Sequence, residues 1–120
     1  MRKSQLSLKM ITILAVELLS SCSKQKDLPV MPYTMSGRAL QAGCLALERF
    51  TAEIKAHPAK TDFQKFGTFM ENYEVVFRES DRSFFVTFRI KPYRGRVVLD
   101  GISTYEVNKD DLTVVRTRSL

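Results

Sequence analysis

The apolar residues of this chain change period once along its length, and that change restricts the fold more than any single residue does. Over residues 36–56, Leu40, Cys44, Leu47, Thr51 and Ile54 recur at steps of three or four, so they share one face of a helix. Ala39, Gly43 and Phe50 widen that face, while Gln41, Glu48, Arg49, Glu53 and Lys55 fall mostly outside it. Thr34 or Ser36 can cap the start, and Pro58 stops the end. Gly43 costs a helix up to about 1 kcal/mol relative to alanine, yet permits a sheet to come close. From Tyr73 onward the period is two. Tyr73, Val75 and Phe77 alternate with Glu74, Val76 and Arg78. Phe84, Val86, Phe88 and Ile90 alternate with Phe85, Thr87 and Arg89, after a polar turn at Glu79-Ser80-Asp81-Arg82. Residues 94–107 read as one long strand with a bulge or bend at Gly101. Residues 108–111 read as a turn. A last strand follows, with Leu112, Val114, Arg116 and Arg118 opposing Thr113, Val115 and Thr117.

Between the two regimes, Phe63, Phe66 and Phe69 recur every three residues, which suits a short helix or an irregular lid over the core. The chain has 120 residues, 44% of them hydrophobic and 27% charged, so it can bury a core as one domain. Connections this short favour antiparallel neighbours. The expectation is an α+β domain: one long helix packed on a curved four-stranded antiparallel sheet. That order of elements, over residues 36–120, resembles small cystatin-like and shortened NTF2-like domains, in which a helix is cradled by a sheet. Cystatin protease inhibitors use a QxVxG-type hairpin. This sequence has none, so the resemblance does not carry cysteine-protease inhibition with it.

The N-terminal residues follow a different logic. Arg2, Lys3 and Lys9 make a basic start, the run from Met10 to Leu19 is mostly apolar, and Ser20 and Ser21 are small. This is the order of a secretory signal, and the run is too short to span a bilayer as a helix, which takes about 20 apolar residues. Leu19-Ser20-Ser21-Cys22 resembles the lipobox of bacterial lipoproteins. The resemblance implies a diacylglyceryl group on the Cys22 thiol, cleavage before Cys22, and an acylated new amino end. Several acyl chains anchor stably, because each buried CH2 contributes roughly 0.8 kcal/mol. In the enteric sorting pattern, serine after the cysteine permits export to the outer membrane, so Ser23 points to its periplasmic face, with the inner membrane as the alternative. Glu17 departs from the pattern, because a carboxylate is costly in an apolar setting. The competing reading is an amphipathic helix with Cys22 an ordinary cysteine, and the apolar residues here surround the axis instead of lining one face.

This divides the chain into a signal at 1–21, a lipidated tether at 22–35 and a domain at 36–120. Pro29 and Pro32 keep the tether extended, and a dozen residues reach at most about 40 Å. Cleavage removes three cations and one anion, so the formal charge falls from +6 to +4. With Cys22 lipidated, Cys44 stays a small core residue that can form no internal disulfide.

The sequence holds no phosphate loop, HExxH, nucleophile elbow or paired-cysteine motif. Asp62, Asp81, Asp100, Asp110 and Asp111 are scattered or in turns. His57, the one histidine, ends the long helix, where it suits the helix dipole better than catalysis or metal binding. No catalytic residue, metal or cofactor is therefore expected. The notable surface feature is RIKPYRGR, in which Arg89, Lys91, Arg94 and Arg96 surround Tyr93. Arginine and tyrosine are enriched in binding hot spots, so this hairpin suits a protein partner with an acidic surface. Arg116 and Arg118 come close if the last two strands pair. The plainer alternative is a basic hairpin that protects its edge from pairing. Nucleic acid is not an expected partner of an exported chain. The functional expectation is a noncatalytic, membrane-anchored binding protein of the toxin-immunity or hydrolase-inhibitor kind. An envelope scaffold or secretion-complex subunit is the second reading, and a small NTF2-like enzyme the third.

Overall fold

The computed structural model describes residues 10–23, 37–98 and 102–117. Its elements are β1 (Met10–Leu14), α1 (Ala15–Ser23), α2 (Gly37–Lys55), α3 (Asp62–Phe66), a 3-10 turn (Met70–Asn72), β2 (Tyr73–Glu79), β3 (Ser83–Ile90), β4 (Ile102–Asn108) and β5 (Val114–Thr117). The five strands form one antiparallel sheet in the order β1-β2-β3-β4-β5. The α+β class and the long helix against an antiparallel sheet are as expected. The count is not: the sheet has five strands, and α2 is accompanied by α1 and α3. The proposed caps Thr34 and Ser36, the tether beyond Ser23 and the bend at Gly101 lie outside the described residues.

Period-two patterning explains β2 and β3. Tyr73, Val75 and Phe77 of β2 and Phe84, Val86, Phe88 and Ile90 of β3 are buried. The register places Val75 opposite Phe88 and Phe77 opposite Val86, so the same side of the sheet is apolar on both strands. The other side carries Thr87, whose hydroxyl lies 2.9 Å from that of Thr104 on β4. The turn joining β2 to β3 is closed by Ser80, whose N–H donates to the Ser83 carbonyl at 2.8 Å. Asn108 organises the β4–β5 turn: its side-chain oxygen accepts the N–H of Asp110 at 2.8 Å. Arg38 reaches across from α2 and donates to the carbonyls of Lys109 and Asp110, each at 2.9 Å.

Helix α2 lies on this apolar side, with Leu40, Ala42, Gly43, Ala46, Leu47 and Phe50 buried. The buried face is centred on Gly43, Ala46 and Phe50, whereas Cys44, Thr51 and Ile54 are half-buried. The rotation follows from α2 having two neighbours, the sheet on one side and α1 on the other. Phe50 stacks on Phe88 with centroids 4.3 Å apart and meets Tyr73 edge-on at 4.9 Å.

The fifth strand comes from the segment that reads as a signal. Ile11-Thr12-Ile13 alternates at period two inside the apolar run, and β-branched residues suit a strand. Met10 through Leu14 pair with Arg78 through Glu74 at the β2 edge. Ile13, Ala15 and Leu18 are then buried in the main core. Glu17 has a local use: its carboxylate accepts the Leu14 N–H at 3.2 Å, the cap-box contact of a glutamate at the third helical position. Cys22 and Cys44 are joined by a disulfide, with Cα atoms 5.6 Å apart. The reading of Cys44 as an unpaired core residue is therefore corrected. Folding α1 onto α2 brings Cys22 against the stripe that carries Cys44, which sequence spacing alone does not reveal.

One further correction concerns residues 94–107. They do not form one strand, because Arg94 (φ 53°) and Gly95 (φ 78°) both turn left-handed and close a tight turn before β4 begins at Ile102.

Gly43 sets the approach of α2 to the sheet. A Cβ there would lie 2.6 Å from Phe77 Cζ and 3.3 Å from Leu18 Cδ1, and the Phe77 ring is buried. We expect Gly43→Ala to lower stability by about 1–2 kcal/mol despite alanine's better helix propensity, because overpacking outweighs it. Gly37→Ala, where a Cβ meets nothing within 4 Å, should be neutral or stabilising. Urea unfolding midpoints of the two variants check the contrast.

Candidate protein-binding hairpin

The tip between β3 and β4 is built from a turn, a short helix and one aromatic ring. Tyr93 N–H donates to the Arg96 carbonyl at 2.9 Å, and Arg96 N–H returns to the Tyr93 carbonyl at 3.0 Å. The two left-handed residues between them give the twist a tight hairpin turn prefers. Beneath the tip lies α3, started by a capping box: the Thr61 hydroxyl accepts Gln64 N–H at 3.0 Å, and the Gln64 side chain accepts Thr61 N–H at 3.0 Å. This presents Phe63 and Phe66 to Tyr93, at centroid separations of 5.2 and 4.9 Å. The Arg94 guanidinium lies 5.0 Å from the Tyr93 ring centre and 3.5 Å from the Asp62 carboxylate. Both partners of that ion pair are over 70% exposed, so it orients Arg94 and stabilises little. Lys91 fastens the stem, its N–H donating to the Asn72 carbonyl at 2.8 Å. Tyr73 adds a second tie, its hydroxyl donating to the Gly67 carbonyl at 2.8 Å.

The five proposed contact residues thus divide. Tyr93, Arg94 and Arg96 share the tip. Lys91 is half-buried at its base. Arg89 lies back on β3, paired with Glu74 at 2.9 Å. Val97 is 76% exposed and Phe63 37% exposed, so the tip offers apolar as well as cationic surface. The contribution of Phe63, Phe66 and Asp62 was missed from sequence, although the Thr61-x-x-Gln64 spacing marks a helix start there. Arg116 does not join the tip: it faces α2, with Nε 3.5 Å from Glu53. Arg118 lies outside the described residues.

Glu53 centres a second polar group that sequence spacing did not reveal, since its members lie on α2, β4 and β5. The Tyr105 hydroxyl donates to Glu53 Oε1 at 2.7 Å. Tyr105 is fully buried, and burial raises its pKa above the ordinary value. The hydrogen bond to Glu53 and the charge of Glu53 push the same way, against Arg116 and Arg49. Tyr73 is likewise raised by burial. His57 lies just beyond the end of α2, with Nδ1 3.0 Å from the Glu53 carbonyl, near the helix terminus where its sequence context puts it.

The space between α2 and the sheet is filled by Phe50, Phe88, Tyr105, Val75 and Val86. Clefts open elsewhere among the described residues. One of about 540 Å³ lies between α1 and α2, bounded by Leu19, Cys22, Cys44, Glu48 and Leu112. One of about 220 Å³ lies between the end of α2 and α3, bounded by Ile54, His57, Phe63 and Tyr73. Among the described residues no cluster of His, Cys, Asp and Glu is suited to a metal ion, and no helix is long and apolar enough to cross a membrane. No family model, curated protein or solved structure matches this chain.

The tyrosine shifts have a signed consequence. The unfolded chain releases tyrosine protons near pH 10, while the folded chain holds those of Tyr105 and Tyr73 to higher pH. The folded state then binds more protons, so stability is full below about pH 10 and falls as pH rises beyond it. Tyr105→Phe should cost about 1 kcal/mol at neutral pH through the lost hydrogen bond and should make the alkaline decline shallower. Urea midpoints measured from pH 7 to 11 test both effects.

Proposed function

We propose that this chain is a noncatalytic lipoprotein of the bacterial envelope, anchored through Cys22 at the periplasmic face of the outer membrane, that binds a protein partner with its hairpin tip. The observation that carries the binding role is the construction of that tip. Tyr93 is seated on Phe63 and Phe66, so its ring is ordered before any partner arrives, with Arg94 against its face. Preordered aromatic and arginine side chains lose little freedom on association, and such residues dominate binding energy. Arg94 and Arg96 direct the tip toward an acidic surface. A helix cradled by an antiparallel sheet is consistent with a cystatin-like or NTF2-like scaffold, and the aromatic filling beneath α2 favours binding over catalysis. The role we favour is neutralisation of a toxin or inhibition of a hydrolase.

An envelope scaffold or secretion-complex subunit would use the same tip, and the captured partner distinguishes the two: a soluble toxin or hydrolase against a membrane-embedded machine. Crosslinking of the tethered protein in its native envelope provides the test. Replacing Tyr93 and Arg94 with alanine should weaken capture by roughly thirtyfold, the loss of about 2 kcal/mol that hot-spot residues carry. Arg96→Glu should weaken it through charge reversal without disturbing the Tyr93 seat, whereas Arg89→Ala should have little effect. Capture unchanged in the first two variants refutes the tip as the contact.

A further inference from the structure

The geometry points to a competition for one sulfur: oxidation of Cys22 onto Cys44 withholds Cys22 from lipid attachment and leaves the N-terminal segment folded into the domain. This inference rests on the lipoprotein reading and adds a control point to it. Lipid attachment needs the Cys22 thiolate, which attacks a glyceryl carbon of the lipid while the C–O bonding pair leaves with the headgroup phosphate. A sulfur already bonded to Cys44 has no thiolate to offer. Disulfide formation removes two electrons and two protons from the cysteine pair. A protein-borne disulfide oxidant accepts them by thiol–disulfide exchange and becomes a dithiol.

Conformation acts in the same direction as valence. The bond to be cut, between Ser21 and Cys22, lies inside α1. A helical backbone has its amides tied within the helix and cannot enter a peptidase cleft in extended form. The rest of the segment is held by the β1–β2 register and by burial of Ile13, Ala15 and Leu18. The disulfide fastens the far end of α1 to α2. The oxidised chain is thus both unlipidated and uncut. The pair is nonetheless reachable, because both cysteines are half-buried and line the 540 Å³ cleft between α1 and α2. A thiol–disulfide partner can approach there, so the commitment responds to the redox poise of the compartment.

Full-length protein made in a bacterial host with an intact export and lipidation pathway tests this by intact mass, in membrane and soluble fractions kept under nonreducing conditions. Wild type should divide between a lipidated species beginning at Cys22 and a lipid-free, leader-bearing species with the disulfide closed. Cys44→Ser and Cys44→Ala should abolish the second species and raise the lipidated fraction. Wild type in a host lacking its envelope thiol oxidant should shift the same way, which guards against a folding defect in the variants. A lipid-free, leader-bearing species that persists undiminished without Cys44 overturns the competition, as does its absence from wild type. Absence of lipid from residue 22 in every variant refutes the lipoprotein reading itself, and the competition with it.

Discussion

The missing side chain at Gly43 is the constraint from which the rest of the packing follows. It lets the Phe77 ring of β2 come directly against the backbone of α2, and it admits Leu18 of α1 to the same spot. With α2 seated this deeply, Phe50, two turns further along the same face, lies flat on Phe88, with an interplanar angle of only 6°. Aromatic side chains bury on the order of 150–250 Å² each, so this cluster contributes strongly to the core. It also fills the volume between α2 and the sheet, so the spacing of the two layers follows from one glycine.

The hairpin tip is tied to that same core through its stem. Ile90 closes β3 opposite Tyr73, which begins β2, and both are buried. Tyr73 then holds Gly67 through its hydroxyl, and Asn72 holds the Phe66 carbonyl at 2.7 Å. These two bonds fix the chain just after α3, and α3 in turn fixes Tyr93. Phe50 meets Tyr73 through their rings, Tyr73 bonds to Gly67, the chain neighbour of Phe66, and Phe66 meets Tyr93. A half-buried aromatic on such a support differs from a loop side chain with no packed neighbours, because its rotamer freedom is already reduced.

What the sequence disclosed, and what it did not, follows from the range of each signal. The helix over residues 37–55 and the strands β2 and β3 were legible because their patterns repeat over several periods within one element. The strand assigned to residues 94–107 was misread because one left-handed residue other than glycine, Arg94, decides the turn, and arginine gives no hint of positive φ. The fifth strand was hidden in a run where Ile11-Thr12-Ile13 reads equally well as part of an unbroken apolar stretch. The Cys22–Cys44 link and the Tyr105–Glu53 bond join residues 22 and 52 positions apart, and no local pattern encodes such pairings. Within the hairpin tip, the basic and tyrosine residues were legible and their aromatic support was not. Three phenylalanines at steps of three indicate burial without indicating against what.

Residues 10–23 meet two sets of physical demands with one composition. A leader needs a short apolar run, small residues and a nucleophilic thiol, and its function requires an extended backbone at the cleavage point. An edge strand followed by one helix needs β-branched alternation, a cap for the first turn and small residues where the helix meets a neighbour. Ile11, Ile13, Glu17 and Cys22 serve the second set in the folded chain. The two uses cannot be simultaneous, since one needs Ser21–Cys22 extended and the other needs it helical. Pairing at the β2 edge gains backbone hydrogen bonds and apolar burial. Covalent lipid attachment is irreversible once made. On the lipoprotein reading proposed above, lipid attachment at Cys22 would make β2 the edge of a four-stranded sheet, whereas the disulfide keeps β1 as its neighbour.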